Sequence, residues 1–385
     1  MEKIIILGAS GSIGTQTQDI LLDNPDDFTL VGVSVGHNIK VLKETLNKFP
    51  SIKYVTVQEH DDLIKLEKEY DHITFFEGDE GLIRLIDESK CTFVVNSLVG
   101  FVGFLPSLHT VEKGLTLALA NKESLVVGGS LIKKALKEHG GHLYAIDSEH
   151  CALAKCLEGH KREDIKNLVI TASGGSFRDL PKDQLEDVTI EQALHHPSWS
   201  MGSKITIDSA TMMNKGFEIM EAMHLFDYPL EQVKVLLHDE SIIHSLVEFK
   251  DQSFVCDIGP TNMKIAIGYA LYRNTRKFVN VEPLDFTKLS GLHFRSLDMD
   301  RYPCLKLAYQ AIKTGGTAPC VLNRSNEEAV HSFLRGEIKF TEISLVIEKC
   351  LNAHQVITNP TKEDIVLSDH WAKKQSQETI RSLIK

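Results

Sequence analysis

Two carboxylates stand two positions apart at the end of an apolar run, in residues 144–150 (YAIDSEH). Asp147 and Glu149 would point to the same side of a strand end, because side chains alternate along a strand. Two carboxylates held together repel each other unless a cation or a proton lies between them, and oxygen ligands of this type suit Mg²⁺ or Mn²⁺. The pattern therefore indicates a metal site, although Asp-x-Glu is also common on solvated edges.

A second group of polar residues lies in residues 208–218 (DSATMMNKGFE). Asn214 and Lys215 precede Glu218 by four and three positions, so all three side chains share one face of a helix. Glu218 offers a third carboxylate to a metal. Ser209, Asn214 and Lys215 are suited to hold a phosphate group. A helix face that is merely solvated is the alternative interpretation.

Two loops would complete such a site. The turn Ser173-Gly174-Gly175 follows an apolar run and presents hydroxyl and backbone N–H groups, which bind phosphate oxygens. Residues 195–203 place Trp199 and Met201 in a loop that contains proline and serine, and aromatic residues in loops often belong to lids over ligands. Each pattern has an ordinary alternative, a common loop for the first and core burial of the tryptophan for the second.

A glycine-rich turn near the N-terminus indicates a nucleotide. Gly8, Gly11 and Gly14 lie between the first apolar run and the first helical pattern, where backbone can approach a pyrophosphate at a helix N-terminus. The next apolar run ends in Gly36-His37-Asn38, without the carboxylate that usually accepts hydrogen bonds from the NAD ribose. These features favour NADPH over NADH, while a plain turn and a plain loop remain the alternatives.

The elements that must position these residues follow two patterns. Short apolar runs alternate with helical segments up to about residue 147, which predicts a Rossmann-like, doubly wound parallel sheet. β-rich runs then suggest a mixed sheet, and four helical segments follow from residue 305 onward. The predicted α/β architecture has an NADPH-binding domain (1–149), a catalytic domain with a lid near 195–203 (150–283), a linker (284–304) and a small helical domain (305–385).

Composition excludes several classes of protein. The chain has 385 residues and a formal charge of −11, which argues against a nucleic-acid binder or a protein of anionic membranes. Seven cysteines form no Cys-x-x-Cys pair, so neither a disulfide framework nor a structural zinc site is indicated. No run reaches the roughly 20 apolar residues of a membrane span. A strand is predicted to begin within three residues of the N-terminus, so we expect no signal or transit peptide. We expect a soluble, cytoplasmic protein.

Several segments together resemble the 1-deoxy-D-xylulose 5-phosphate reductoisomerase family, over about residues 3–350. The order and spacing are those of ILGASGSIG, GHN, LANKESLV, AIDSEH, ASGG, HPSWSMG and KITIDSATMMNKGFE, followed by NEEAV and FLRGEIKFTEI. The long SATMMNKG segment is highly specific, whereas the glycine turn is not. The resemblance implies a homodimeric enzyme that uses NADPH and Mg²⁺ or Mn²⁺ to convert 1-deoxy-D-xylulose 5-phosphate to 2-C-methyl-D-erythritol 4-phosphate, in the non-mevalonate pathway to isoprenoids.

The resemblance also implies a role for each matching residue. One metal ion would be bound by Asp147, Glu149 and Glu218. The phosphate would be held by Ser173, Ser209, Asn214 and Lys215. Substrate hydroxyl groups would contact Ser148 and Lys122, and the lid would include His196, Trp199 and Met201. The catalytic set would be Lys122, Asp147, Glu149, His196 and Glu218. NADPH would be surrounded by Gly8, Ala9, Ser10, Gly11, Ser12, Ile13, Gly14, Gly36, His37, Asn38, Asn121, Glu123 and Gly202.

The implied reaction accounts for these parts. The carbon skeleton would rearrange by retro-aldol cleavage and re-addition, and NADPH would reduce the resulting aldehyde. A divalent cation stabilises the negative oxygen of an enolate as a Lewis acid. The cleaved fragments must neither escape nor meet water, which explains a lid and a substrate held at both metal and phosphate.

The chain departs from the family in three places. Thr261-Asn262-Met263-Lys264 stands where the family commonly has Pro-Asp-Met-Arg, Asp239-Glu240 replaces Pro-Gln, and His37 replaces a residue that is often basic. None of these changes removes a metal or phosphate residue. We expect them to affect the pocket's finer shape, the dimer contacts and the preference for NADPH.

Three other functions are compatible with parts of the sequence. A plain NADP-dependent dehydrogenase would not need three carboxylates and a phosphate cradle. A non-catalytic nucleotide sensor would not need Asp147, Glu149, His196 and Lys215 together. A metal-dependent phosphatase has no use for a dinucleotide-binding turn. The reductoisomerase interpretation is the one that uses every motif.

Overall fold

The computed structural model describes residues 1–384. Strands and helices alternate through the first 157 residues. They are β1 (Glu2–Leu7), α1 (Ser12–Asp23), β2 (Phe28–Ser34), α2 (Ile39–Lys48), β3 (Tyr54–Val57), α3 (His60–Glu69), β4 (Thr74–Glu77), α4 (Gly78–Glu88), β5 (Phe93–Asn96), α5 (Phe104–Glu112), β6 (Thr116–Leu119), α6 (Glu123–His139), β7 (His142–Ala145) and α7 (Ser148–Leu157).

The remaining elements are grouped differently, with three consecutive strands in the middle and four helices at the end. They are β8 (Ile165–Ala172), α8 (Ile190–Leu194), α9 (Ser203–Ala210), α10 (Met213–Phe226), β9 (Val233–His238), β10 (Ile243–Phe249), β11 (Phe254–Ile258), α11 (Met263–Leu271), β12 (Phe294–Arg295), α12 (Pro303–Thr314), α13 (Ala318–Leu334), α14 (Glu342–Ala353) and α15 (Lys362–Leu383). Short 3₁₀ turns connect several of them.

The chain forms two compact units. The first contains Met1–Ser124, Ser130–Cys151 and Asn262–Val281, and the second contains Leu125–Gly129, Ala152–Thr261 and the chain from Glu282 onward. The four-part division inferred from the sequence concerns function and stays a prediction. The compact units differ from that division at α11. This helix belongs to the first unit, where it contacts α1 and β7, whereas the sequence placed it in the catalytic domain (150–283).

The first unit is built on a seven-stranded sheet in the order β4-β3-β2-β1-β5-β6-β7, and every neighbouring pair is parallel. Residues 4–7 of β1 are 0% exposed, since parallel strands are covered on both faces and therefore read as one continuous apolar run. The sheet confirms the predicted doubly wound fold. The strand order reverses beside β1, between β2 and β5, and ligands bind open α/β sheets at such a switch point.

The second unit contains a five-stranded sheet in the order β11-β10-β8-β9-β12. Only β8 and β9 are parallel, with Ala172 opposite Leu237, so the sheet is mixed as the sequence predicted. The segment predicted as a linker supplies β12, in which Phe294 lies opposite His238. Two residues paired through the backbone leave almost no periodicity in the sequence, which explains why no strand was predicted there.

The four predicted C-terminal helices are all present in the second unit. Helix α13 contacts each of the other three helices and begins at Ala318. Pro319 occupies its first turn, where a missing N–H costs nothing, and so marks the beginning of the helix. Among residues 1–384, no helix is both long and apolar enough to cross a bilayer.

Candidate active site

The glycine turn lies at the switch point of the first sheet. Gly8 follows β1 with a left-handed φ of +83°, and its N–H donates to Ser34 Oγ at the end of β2 (2.9 Å). A Cβ on Gly14 would lie 2.4 Å from the Gly8 carbonyl oxygen, so only glycine allows α1 to pack this closely on the turn. Helix α1 begins without a side-chain cap and without an acidic residue in its first turn. Its N-terminal N–H groups suit an anion such as a pyrophosphate.

The residues that follow β2 are exposed and polar. Asn38 Oδ1 accepts from Val41 N (3.2 Å) and caps α2, so its side chain has a structural partner. His37 is largely exposed, and its Nδ1 lies 3.5 Å from Glu59. Asn38 thus has a use in the fold that the sequence did not reveal, while the contacts of Gly36, His37 and Asn38 with NADPH stay predictions.

Asn121 organises the loop at the carboxyl ends of β5 and β6. Its Nδ2 donates to the carbonyl oxygens of Leu98 (3.0 Å) and Gly100 (2.9 Å), and its Oδ1 accepts from Ser124 N (3.0 Å). Glu123 Oε2 accepts from the same amide nitrogen at 3.2 Å. Both residues were predicted to contact NADPH. They shape the loop that would do so.

Asp147 is the centre of a buried ion-pair network in the first unit. Its Oδ2 accepts from Lys122 Nζ (2.9 Å), and its Oδ1 lies 2.9 Å from His150 Nδ1. Burial raises the pKa of Asp147, but the Lys122 ammonium and the His150 ring outweigh burial and hold that pKa well below its usual range. The carboxylate is therefore ionised, as a metal ligand must be.

The local backbone around Asp147 differs from the sequence expectation. Strand β7 ends at Ala145, and Glu149 lies in the first turn of α7. Strand alternation therefore does not orient this pair, and that part of the prediction was wrong. Instead Asp147 Oδ1 accepts from the N–H groups of Glu149 (3.1 Å) and His150 (3.2 Å), as a helix N-cap does. Ser148 Oγ donates to Glu149 Oε2 (2.5 Å).

Helix α10 carries the corresponding group in the second unit. Asn214 Nδ2 donates to Glu218 Oε1 (2.5 Å), and Lys215 Nζ donates to Glu218 Oε2. Lys215 and Glu218 are 3% and 1% exposed, so this face is not a solvated one. The predicted helix face is confirmed. Each unit thus contains a buried carboxylate balanced by a buried lysine, and carboxylate oxygens are ligands that fit Mg²⁺ or Mn²⁺.

A short strained junction connects α10 to the preceding helix α9. Met212 has a left-handed φ of +60° and is 2% exposed, although it is not glycine. Ser209, in the last turn of α9, accepts from Met212 N (3.1 Å) through its carbonyl oxygen. Such strain persists only where surrounding packing over-determines the backbone. Here the strained junction joins the last turn of α9, which carries Ser209, to the first turn of α10, which carries Asn214.

The turn Ser173–Gly175 lies against the end of α9. Gly174 and Gly175 have φ values of +84° and +74°, and a Cβ on Gly175 would lie 2.5 Å from Ala210 Cα. Only glycine permits this contact. The turn therefore lies against the end of α9 that carries Ser209, and the phosphate contacts of Ser173, Ser209, Asn214 and Lys215 stay predictions.

His196 connects this turn to the predicted lid. Its Nδ1 accepts from the N–H groups of Ser198 (3.1 Å) and Trp199 (2.9 Å), so the ring proton must sit on Nε2. Nε2 lies 2.9 Å from Ser173 Oγ and donates to it, which leaves the serine hydroxyl hydrogen to donate elsewhere. Burial and the nearby Arg178 guanidinium lower the pKa of His196 to about 4, so the ring is neutral at pH 7.

The remaining lid residues occupy loop positions, as predicted. The Trp199 ring is half-buried, with its centroid 6.1 Å from that of His244 on β10. Met201 is also half-buried, and Gly202 is the N-cap residue of α9 without a side-chain cap. The structure thus anchors one end of residues 195–203 at His196 and the other at α9.

Several residues that support the site were not singled out from the sequence. Asp208 is 2% exposed and pairs with Lys204 Nζ (2.9 Å) and Asn326 Nδ2 (2.7 Å), which connects α9 to α13. The i,i+4 spacing of Lys204 and Asp208 was the available signal for the first contact. Nothing in the sequence pattern predicts the second, because Asn326 is 118 residues away.

The departures from the family have partners within this chain. Asp239 Oδ2 accepts from Arg295 Nη2 (2.5 Å) and Nε (3.0 Å), and Glu240 Oε1 lies 2.5 Å from His293 Nδ1. Burial raises the pKa of Glu240, but hydrogen bonds from His293 outweigh it and lower the pKa to about 2. Lys264 pairs with Asp19 (2.7 Å) in the first unit. The unusual charges are therefore compensated locally.

Comparison with known proteins decides the family. Residues 4–129 match the family described as 1-deoxy-D-xylulose 5-phosphate reductoisomerase, residues 143–226 match its C-terminal domain, and residues 258–375 match the DXP reductoisomerase C-terminal domain. The reductoisomerase of Geobacillus sp. (strain WCH70) is 47% identical over 386 residues, 100% of both chains. That of Geobacillus kaustophilus (strain HTA426) is 50% identical over 368 residues, 95% of this chain and 96% of the relative.

The chain belongs to the 1-deoxy-D-xylulose 5-phosphate reductoisomerase family. Solved structures of the family agree with the fold. The Zymomonas mobilis enzyme in complex with NADPH has a TM-score of 0.91 at 37% identity, covering 99% of this chain and 100% of that one. DOX-P reductoisomerase in complex with NADPH, fosmidomycin and magnesium has a TM-score of 0.94 at 35% identity, covering 99% and 98%. The resemblance inferred from the motifs is confirmed.

Proposed function

We propose that this protein converts 1-deoxy-D-xylulose 5-phosphate to 2-C-methyl-D-erythritol 4-phosphate, an NADPH- and metal-dependent step of isoprenoid synthesis. The observation that carries this function is a full-length match to reductoisomerases by a chain that keeps two buried lysine-balanced carboxylates. A plain dehydrogenase has no use for either pair, or for a phosphate-binding turn.

NADPH and a divalent metal are the cofactors. Solved relatives contain NADPH and magnesium, and the glycine turn of this chain offers an uncapped helix N-terminus at the switch point of its sheet. The residues of the glycine turn would hold NADPH, which would supply the hydride for reduction of the rearranged aldehyde. A bound Mg²⁺ or Mn²⁺ supplies Lewis-acid stabilisation of negative charge on substrate oxygens.

We assign the metal to Asp147, Glu149 and Glu218. Asp147 is supported by its ionised state and by the N-cap geometry that fixes its oxygens. Glu218 is supported by its burial and by the two donors that fix its carboxylate. Lys122 and Lys215 would keep both groups charged while no metal is bound, because an unpaired buried carboxylate is strongly unfavourable.

The phosphate of the substrate would be held by Ser173, Ser209, Asn214 and Lys215. The free hydroxyl hydrogen of Ser173 is a donor that His196 leaves available. Lys215 supplies the positive charge, and because it is buried, its attraction to the phosphate is stronger than it would be in water. Closure of Trp199 and Met201 over the substrate would exclude water from cleaved fragments.

We further propose a homodimer in the cytoplasm. Within residues 1–384, β11 pairs with β10 alone and leaves its other edge open, with Phe254 and Val255 exposed. An open apolar strand edge is a site where a second chain can pair. Within residues 1–384 the seven cysteines form no disulfide, and six of them are buried, as is usual in a reducing compartment. Sedimentation equilibrium would decide the oligomeric state.

The first experiment is NADPH oxidation with 1-deoxy-D-xylulose 5-phosphate, with and without Mg²⁺ or Mn²⁺, and with NADH as the cofactor control. We expect oxidation only in the complete mixture, and a branched polyol phosphate as product. If folded protein binds NADPH but oxidises none of it, the function returns to a plain dehydrogenase acting on another substrate.

A further inference from the structure

All three carbonyl groups of the turn Ser173–Gly175 are bound within the protein. The carbonyl oxygen of Ser173 accepts from Arg178 Nη1 (3.2 Å), and that of Gly175 accepts from Arg178 N (3.3 Å). The carbonyl oxygen of Gly174 accepts from the hydroxyl of Tyr302 (3.2 Å). The Tyr302 hydroxyl, from 128 residues away, and the neighbouring Arg178 thus hold the carbonyl groups of the turn.

The opposite face of the turn is left with N–H groups. A trans peptide unit is planar, so a bound carbonyl forces the N–H of the next residue to point the other way. Gly175 N donates to Ser173 Oγ (3.1 Å). Among residues 1–384, no acceptor is bonded to the N–H groups of Gly174 and Ser176. These groups and the Ser173 hydroxyl are the donors that an anion needs.

We propose that Tyr302 and Arg178 are positioning residues of the phosphate subsite, which set the orientation of its peptide groups without contacting the phosphate. This inference rests on the function proposed above. Tyr302 is 4% exposed and reaches the turn from the start of α12, so its hydroxyl is fixed by packing. No motif in the sequence suggested a role for either residue.

Arg178 and Tyr302 form a clamp, meaning that they hold the carbonyl groups of the turn in place. The charge of Arg178 is already compensated, so this residue does not itself serve to attract the anion. Its Nε donates to Asp179 Oδ2 (3.1 Å), and its Nη1 donates to the carbonyl oxygen of Asp239 (2.9 Å). The Asp239 carboxylate lies 3.8 Å from the same nitrogen and also pairs with Arg295. The departure at Asp239 therefore supports the clamp that shapes this turn.

Loss of the clamp would reverse the polarity of the turn. Glycine occupies positive and negative φ almost equally well, so the Gly174–Gly175 peptide rotates readily once its carbonyl has no partner. A rotated peptide would present an oxygen lone pair to the phosphate in place of an N–H. Binding of the phosphate would weaken, while the reacting end of the substrate would be unchanged.

Tyr302→Phe is the direct test, because it removes one hydroxyl and keeps the buried ring. Tyr309→Phe is the matched control, since the hydroxyl of this half-buried tyrosine of α12 has no hydrogen bond in residues 1–384. We expect Tyr302→Phe to raise KM for the sugar phosphate by about 3- to 10-fold, the effect of one lost hydrogen bond. The value of kcat should change by less than about twofold, because the turn holds a non-reacting group. NADPH affinity should not change.

Titration with inorganic phosphate separates this inference from the proposed function. If the wild type turns over no 1-deoxy-D-xylulose 5-phosphate, the proposed function fails, yet Tyr302→Phe should still weaken phosphate binding and Tyr309→Phe should not. If Tyr302→Phe does not fold, Arg178→Lys replaces it, because lysine keeps the charge but cannot donate to both carbonyls in the same geometry. Wild-type KM and phosphate affinity in Tyr302→Phe, or equal changes in Tyr309→Phe, would overturn the inference.

Discussion

Replacing Glu218 by glutamine removes one negative charge from the second unit and changes little else in shape. The carboxylate accepts from Asn214 Nδ2 and from Lys215 Nζ at the same time. An amide has only one oxygen, so its nitrogen must face a donor, either the Lys215 ammonium or the Asn214 amide. One charge-assisted hydrogen bond is lost, and a buried ammonium loses its counter-charge.

The magnitude has a stability part and a metal part. Losing a hydrogen bond to a charged group lowers the free energy of unfolding by about 1.5–3 kcal/mol. Unpairing a buried charge completely sets an upper limit of about 3–5 kcal/mol. Mutation of residues that only contact the metal ligands typically lowers metal affinity or activity by about 10–100-fold. Loss of a ligand itself should therefore lower kcat by at least about 100-fold.

Asp369→Asn is the matched control for the stability part. Asp369 is 1% exposed and forms a bidentate pair with Arg324 (2.6 and 2.8 Å) between α13 and α15. Its substitution also converts a buried paired carboxylate to an amide. Thermal unfolding should show comparable losses for both variants. Titration of activity with Mg²⁺ should distinguish them, because only Glu218→Gln should raise the metal concentration required or abolish turnover.

Two results would refute this reasoning. A wild-type rate and a wild-type metal requirement in Glu218→Gln would remove Glu218 from the metal site. Equal loss of activity in Asp369→Asn would show that destabilisation alone explains the effect. NADPH binding serves as the check on folding, and it should be nearly unchanged in both variants.

Three further outcomes are expected. Lys215→Ala should raise substrate KM by at least about 10-fold with NADPH affinity unchanged, because a buried phosphate partner is lost, and an unchanged KM would contradict the phosphate role. Because the pKa of His196 is about 4 in the folded protein and about 6.5 unfolded, its stabilising contribution is complete above pH 6.5 and lost as pH falls to about 4. Solvent screening of this partly exposed ring keeps that contribution below about 3 kcal/mol, and thermal melts of His196→Gln should show a flatter pH dependence. Gly175→Ala should lower the free energy of unfolding by about 1–3 kcal/mol more than Gly159→Ala. Both glycines have a positive φ, but only at Gly175 would the added Cβ lie 2.5 Å from Ala210 Cα. Equal melting temperatures of the two variants would contradict this.

The alternation of apolar runs and helical segments was enough to predict the parallel sheet and the four C-terminal helices. Local spacing was also enough to place Asn214, Lys215 and Glu218 on one helix face, because i,i+3 and i,i+4 contacts depend on helix geometry alone. The motif order identified the family. These are properties of short stretches of chain, and a sequence states them directly.

Contacts between distant segments were decided by tertiary structure. The sequence suggested strand geometry for Asp147 and Glu149, whereas the fold makes Asp147 the N-cap of α7 and balances it with Lys122. It gave no hint that Tyr302 holds the carbonyl of Gly174, 128 residues away. Hydrogen bonds of this kind depend on which surfaces pack together, and residue type and spacing do not encode that choice locally. The sequence determined which chemical groups are present, and the tertiary structure decided which of them are ionised, oriented and left free to bind.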